Sequence, residues 1–305
     1  MEDILSDFLA FSKKEPATKS AKTKKQKNKR RREEEANPPP PKRETVQHSF
    51  PTEPEDHAET DDKAYEDVVP VLEVMAAAMG KDKGDIALYD PYFCQGAVKK
   101  RLEGLGFPKC YNENEDFYKV AEEEECPEHD ILLTNPPYSA DHMERILAFC
   151  KRRNQGRPFM LLMPGWVYNK PYYKRVLGAL EERMDYIVPA RRYYYWAPKD
   201  LTKSRVEKEG EAPALGGSGK KKRTHTRGGA ERTAPWVSFW YCYFGDEAKR
   251  KAVRTAWKKH VAKRGKGVDG AYMTRDPPAQ EAHSYGSKGV DVVEDSSGKK
   301  YSARK

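Results

Sequence analysis

Asn135-Pro136-Pro137-Tyr138 is the stretch whose residue types could do chemistry. The Asn135 side-chain carbonyl and the Pro136 main-chain carbonyl both accept N–H bonds. Proline fixes its backbone dihedral, so the second acceptor is held in place. Two acceptors aimed at the two hydrogens of a flat amino group favour a pyramidal nitrogen. The lone pair, otherwise delocalised, then faces an incoming electrophilic carbon. This is positioning with electrostatic preorganisation, and it needs no general base. Tyr138 offers a ring on which a nucleobase could stack, worth roughly 1–3 kcal/mol. The plain alternative is a polar turn leaving a strand, since Asn-Pro is ordinary turn chemistry.

The elements that must carry this turn follow from hydrophobic patterning. Asp130 to Thr134 (DILLT) is an apolar strand running straight into it. Upstream, Thr60 followed by Asp61 and Asp62 reads as a helix N-cap with acids in the first turn, opening a helix over 61–79 with Pro70 near its start. Strand 85–89 leads into a turn at Asp90 to Gly96, a helix over 97–105 and a short strand near 109–112. After the Asn135 turn come a helix over 140–153, a strand over 158–163, a helix over 172–183, and a strand from Tyr186 extended through Tyr195. Pro235 to Phe244 (PWVSFWYCYF) is the last expected strand. Strands alternating with helices predict an α/β fold, a parallel sheet with helices on both faces. Such sheets bind ligands at the carboxyl ends of their strands, where Asp90 and Asn135 both fall.

With these residues in place, the chain resembles a class I, Rossmann-like S-adenosylmethionine-dependent methyltransferase of the amino-methylating group, over about residues 57–245. Asn135 to Tyr138 matches that group's (N/D)PP(Y/F/W) motif, and implies transfer of a methyl group to an amino nitrogen such as adenine N6. A base inside a duplex would first have to be flipped out. Asp90-Pro91-Tyr92-Phe93-Cys94-Gln95-Gly96 resembles the family's D-P-x-x-G-x-G donor loop. The resemblance puts Asp90 beside the donor's methionine amine, Tyr92 in the loop, and Gly96 at the start of a helix whose amides meet the carboxylate. It also implies a Rossmann-like, mostly parallel seven-stranded sheet with an antiparallel last strand and helices on both faces. Cys94 stands where the family has its first glycine. Only 44 residues separate Asp90 from Asn135, so the intervening strand units are compressed. Asn112 to Phe117 must then serve both ends of the donor's nucleoside: Asp116 and Phe117 the adenine, Asn112 or Glu113 the ribose. A solvated acidic turn is the competing reading of that segment. Thr60, upstream, would cap the methionine end.

Two features bear on the acceptor. Arg191, Arg192 and Tyr194 lie in ARRYYYW at a strand's carboxyl end. Residues 198–234 then carry ten Lys and Arg against five acids, with Lys221 and Arg223 in a glycine-rich run. A flexible basic insertion beside a catalytic mouth suits a phosphate backbone; a low-complexity insertion without a contact role is the alternative. Nucleic acid, with RNA ahead of DNA, is the favoured acceptor. A protein glutamine amide is the second reading, because the same turn suits that planar group. A non-catalytic RNA-binding relative is the third, favoured by Cys94 and opposed by the intact motif.

Composition sets the outer limits. The 305 residues are 37% hydrophobic and 34% charged, too polar for one compact globule throughout. Residues 13–32 hold eight Lys and three Arg against one Glu, so the net charge of +9 belongs to that run. A disordered basic leader over 1–56 is expected, its KTKKQKNKRRR acting as a nuclear or nucleolar address or a nucleic-acid tether; without the address the chain would be cytoplasmic. Residues 1–11 have helical apolar spacing that would suit a protein partner. The methyltransferase domain is expected over 57–248, and a basic helix with a disordered tail over 249–305. The five cysteines lie far apart and no Cys/His cluster has ligand spacing, so no metal is expected. No apolar run approaches the roughly 18 residues of a membrane span, so no membrane partner is expected.

Overall fold

The computed structural model describes residues 46–52, 59–196, 226–227, 231–233, 237–264, 270–278, 292–294 and 300–302. Residues 1–11, the basic run 13–32, and Lys221 and Arg223 lie outside the described residues. In chain order the elements are β1 (Glu59–Thr60), α1 (Asp62–Glu66), α2 (Val69–Ala78), β2 (Leu88–Tyr89), α3 (Ala97–Gly104), β3 (Cys110–Tyr111), α4 (Phe117–Glu122), β4 (Ile131–Thr134), α5 (His142–Arg152), β5 (Phe159–Pro164), α6 (Pro171–Leu177), β6 (Asp185–Val188), β7 (Tyr194–Trp196), β8 (Thr226–Arg227), β9 (Glu231–Thr233), β10 (Ser238–Tyr243), α7 (Glu247–Arg264), β11 (Tyr272–Thr274), β12 (Val292–Glu294) and β13 (Lys300–Ser302).

The main sheet is α/β and seven-stranded, in the order β11-β6-β10-β5-β4-β2-β3. β3, β2, β4 and β5 pair in parallel. β10 lies antiparallel between β5 and β6, and β11 is antiparallel to β6 at the edge. From β2 the chain moves outward to β3 and then returns to the other side of β2 as β4. The carboxyl ends of β2 and β4 therefore flank a reversal of strand order, the place where open α/β sheets take ligands.

Side chains alternate across this sheet and feed two cores. Leu88, Ile131, Leu133, Met160, Leu162, Trp240 and Cys242 pack with α1, α2, α3 and α7. Tyr89, Leu132, Phe159, Leu161, Met163, Phe239 and Tyr241 pack with α5, α6 and Phe117 of α4. Period-two patterning thus puts helices on both faces. The indole Nε1 of Trp240 donates to Ala64 O at 3.0 Å, tying α1 to the sheet.

Several expectations need correction. The helix expected over 61–79 is two, because the chain turns at Asp67 and Val68; Pro70 sits in the first turn of α2, where its missing N–H costs nothing. The N-cap of α1 is Asp61 rather than Thr60. The strand from Tyr186 stops at Val188. Residues 194–196 belong instead to a second, four-stranded sheet of order β1-β7-β9-β8. The last strand of the main sheet is not β10 but β11, so two strands are antiparallel rather than one. Residues 249–305 were expected outside the domain as helix and tail. Yet Val253 and Trp257 of α7 are buried in the first core, and β11 completes the sheet.

α7 is also locked by charge. Asp185, fully buried, meets Arg250 Nε at 2.6 Å and Arg254 Nε at 2.9 Å, and Arg250 donates to Met184 O at 3.1 Å. Breaking such a pair from one side leaves a buried charge without compensation. Asp185→Ala should lower stability by about 3–5 kcal/mol in urea unfolding, whereas Asp185→Val with Arg250→Met should recover most of that loss.

Candidate active site

Asp90 follows β2 directly and its carboxylate is 5% exposed. Thr134 Oγ1, the last residue of β4, donates to Asp90 Oδ1 at 2.5 Å, and the Tyr92 amide donates to the same oxygen at 3.1 Å. Asn112 Nδ2 holds the Asp90 main-chain carbonyl at 3.0 Å. Burial pushes the Asp90 carboxyl up to about 7, and nearby Glu59 adds to the rise; the Thr134 and Tyr92 hydrogen bonds oppose it. Parallel pairing of Tyr89 with Leu132 brings these two strand ends together.

The turn after Asp90 is tight. Cys94 has φ +53 and Gly96 φ +74. A Cβ on Gly96 would come within 2.6 Å of the Phe93 ring, so only glycine fits. Cys94, without that freedom, takes the left-handed conformation at a cost of roughly 1–2 kcal/mol. Burial raises its thiol well above the usual range, so it stays protonated. Glu59 braces the turn from outside. Its carboxylate, 5% exposed, accepts from Gln95 N at 3.0 Å and from Arg101 at 2.7 Å. Arg101 reaches on to Asp62 at 2.7 Å.

The Asn135 turn is held from two sides. Asn135 Nδ2 donates to Thr60 Oγ1 at 2.9 Å, and Asn135 Oδ1 lies 2.7 Å from the Tyr138 hydroxyl, which donates to it. Asn135, Pro137 and Tyr138 are half-buried and Pro136 is buried. The Tyr138 ring meets Tyr195 edge-on at 6.4 Å. Tyr138 thus acts as a strut that orients the Asn135 amide, a role that motif spacing does not reveal. Thr60, expected at the donor's methionine end, accepts from the Asn135 amide. It pairs with Tyr195 of β7, and Asp61 accepts from Tyr194 N at 3.1 Å. Four consecutive residues, Glu59 to Asp62, therefore join the Asp90 turn, the Asn135 turn and β7.

The remaining expected residues fall around this centre. Asp116 caps α4 by accepting from Tyr118 N at 3.0 Å. Phe117 is buried edge-on to Tyr92 at 5.3 Å and Phe149 at 5.1 Å. Asn112 is enclosed, and its Oδ1 has no hydrogen-bond partner among the described residues. Glu113 is exposed and paired with Lys99 at 2.5 Å. Arg191 is exposed, and Arg192 and Tyr194 half-buried, on the segment joining β6 to β7. Sequence reasoning missed a line of hydroxyls: Tyr92 OH lies 3.0 Å from Tyr118 OH, which bonds His142 Nδ1, while Arg145 stacks 3.3 Å from the Tyr118 ring centre. It also missed the end of the leader. Val46 N donates to Gln95 Oε1 at 3.2 Å, and His48 Nδ1 lies 2.6 Å from Asn114 Oδ1, so residues 46–48 cross the Asp90 turn and the Asn112 loop.

Among the described residues, no group of three or more His, Cys, Asp or Glu could hold a metal ion, and no helix is long and apolar enough to cross a membrane. No protein-family model matches the chain, and no curated protein matches it.

The Asp90 carboxyl gives a pH test. Its folded pKa lies above the unfolded value near 3.8, so its contribution to stability is full below that value and is lost as pH rises through about 7. Asp90→Asn cannot ionise. Relative to wild type, the variant should gain stability steadily from about pH 4 to pH 7, by up to a few kcal/mol, and level off above. Paired denaturant titrations across that range measure it; a constant difference would contradict a buried, raised carboxyl.

Proposed function

We propose that this chain is an S-adenosylmethionine-dependent N-methyltransferase with a Rossmann-like fold, and that its acceptor is the N6 amino group of adenine in nucleic acid, RNA ahead of DNA. One observation carries the reading: the Asn-Pro-Pro-Tyr turn and the acidic, glycine-closed turn sit side by side at the reversal of strand order, joined by the Thr134–Asp90 hydrogen bond.

The residues present fit the donor. Asp90 supplies a carboxylate for an ammonium group, and α3 opens at Gly96 with no side-chain cap among the described residues. Among the described residues the enclosed Asn112 Oδ1 has no hydrogen-bond partner, and it is the acceptor we assign to a ribose hydroxyl. When bound, the donor supplies a methyl group activated by its sulfonium. Asn135 Oδ1 has a second lone pair beyond the one used by Tyr138, and that lone pair accepts one amine hydrogen; the Pro136 carbonyl accepts the other. Thr60 and Tyr138 keep the amide from rotating. Arg191, Arg192 and Tyr194 are the residues we assign to a phosphate backbone, and the charge of the basic run that holds Lys221 and Arg223 suits the same role. Residues 22–32 serve as nuclear or nucleolar address or as tether.

The test is incubation of the full chain with labelled S-adenosylmethionine and separate RNA, DNA and protein pools. Label in RNA adenine is expected; label in protein would favour the glutamine-amide reading, and no transfer with no donor binding would leave a non-catalytic scaffold. Asn135→Ala should cut transfer by about 100-fold or more while donor affinity stays close to wild type.

A further inference from the structure

Glu59 is a buried charged group braced beside the site, and neither motif contains it. Its two oxygens point to different elements, one to the amide of Gln95 inside the Asp90 turn, the other to Arg101 on α3. Its neighbour Thr60 holds the Asn135 amide. The two lie in a strand of only two residues, bonded to β7 on its other edge. Adjacent strand residues face opposite ways, which lets one strand grip two turns.

We infer that β1 is a two-way positioning clamp: Glu59 sets the donor turn, and Thr60 sets the acceptor turn. This rests on the methyltransferase reading. The Gln95 amide is a turn donor with no helical or sheet partner of its own. With Glu59 in place it is satisfied, and the Tyr92–Gly96 backbone keeps the shape that a donor carboxylate meets. Arg101 neutralises the carboxylate and is itself held by Asp62, so the brace is an ionic chain of three groups rather than one exposed pair. Thr60 fixes which end of the Asn135 amide presents oxygen. The donor half and the acceptor half of the reaction are therefore set by consecutive residues, and their kinetic signatures should separate. Glu59 and Thr60 are positioning residues; neither needs to touch a reacting atom.

Two variants decide it. Glu59→Ala should raise the donor KM and the calorimetric Kd for S-adenosylmethionine by about tenfold, with kcat at saturating donor changed little. Glu59→Gln, which keeps a carbonyl for the Gln95 amide but loses the Arg101 charge pair, should fall between wild type and Glu59→Ala. Thr60→Val, of the same shape, should lower kcat about tenfold and leave the donor KM near wild type. A role in folding alone would lower the active fraction equally and give both variants one profile; that result, or an unchanged donor Kd in Glu59→Ala, overturns the inference. If the wild-type chain binds no S-adenosylmethionine, the methyltransferase reading fails and the donor role falls with it. Amide hydrogen exchange at Gln95 still tests the clamp in that case. Faster exchange in Glu59→Ala supports the brace, and unchanged exchange rules it out.

Discussion

A carboxylate buried at the end of one strand must find a donor, and Asp90 finds it on the next strand over. Thr134 is the residue immediately before Asn135, so the bond that satisfies Asp90 also fixes how far the Asn135 turn stands from the glycine turn. Burial raises the energetic stake, because an unpaired acid there would lose solvation without compensation. The parallel pairing of β2 and β4 and the hold of Asn112 on the Asp90 carbonyl serve that single contact.

The parts legible in the sequence were those encoded locally. The strand DILLT, its exit turn and the Asp90 turn declare themselves through apolar runs, proline and glycine. The aromatic β10 is equally plain, and so are helices on both faces. What stayed hidden depends on distant partners. β1, β2 and β3 have two residues each and β11 has three, too short for any periodicity to register. Tyr186 to Tyr195 reads as one strand because its aromatics continue, yet the chain leaves one sheet at Val188 and joins another at Tyr194. β11 was assigned to a polar tail because nothing in YMT says that β6 lacks a neighbour. Glu59 went unnoticed for a related reason: its partners lie 36 and 42 positions away.

The short span between Asp90 and Asn135 has a structural counterpart. One outward step, α3 and β3, is followed by α4 and an immediate return to β4, so β3 forms the edge of the sheet. Residues that would otherwise be spread over a longer crossover are crowded into Asn112 to Tyr118. That crowding explains why Asn112 is enclosed and Phe117 is wedged between Tyr92 and Phe149.

The place of β10 has a consequence for how the molecule is made. β5 and β6 are never bonded to one another; β10 must slide between them, running the opposite way. A nascent chain emerging from the ribosome delivers β5 and β6 first and must keep two apolar edges apart until Ser238 to Tyr243 arrives. Chains released early would expose those edges to one another and to other chains. Completion of the centre of the sheet is thus a late event in biosynthesis, although the Asp90 and Asn135 turns are made well before it.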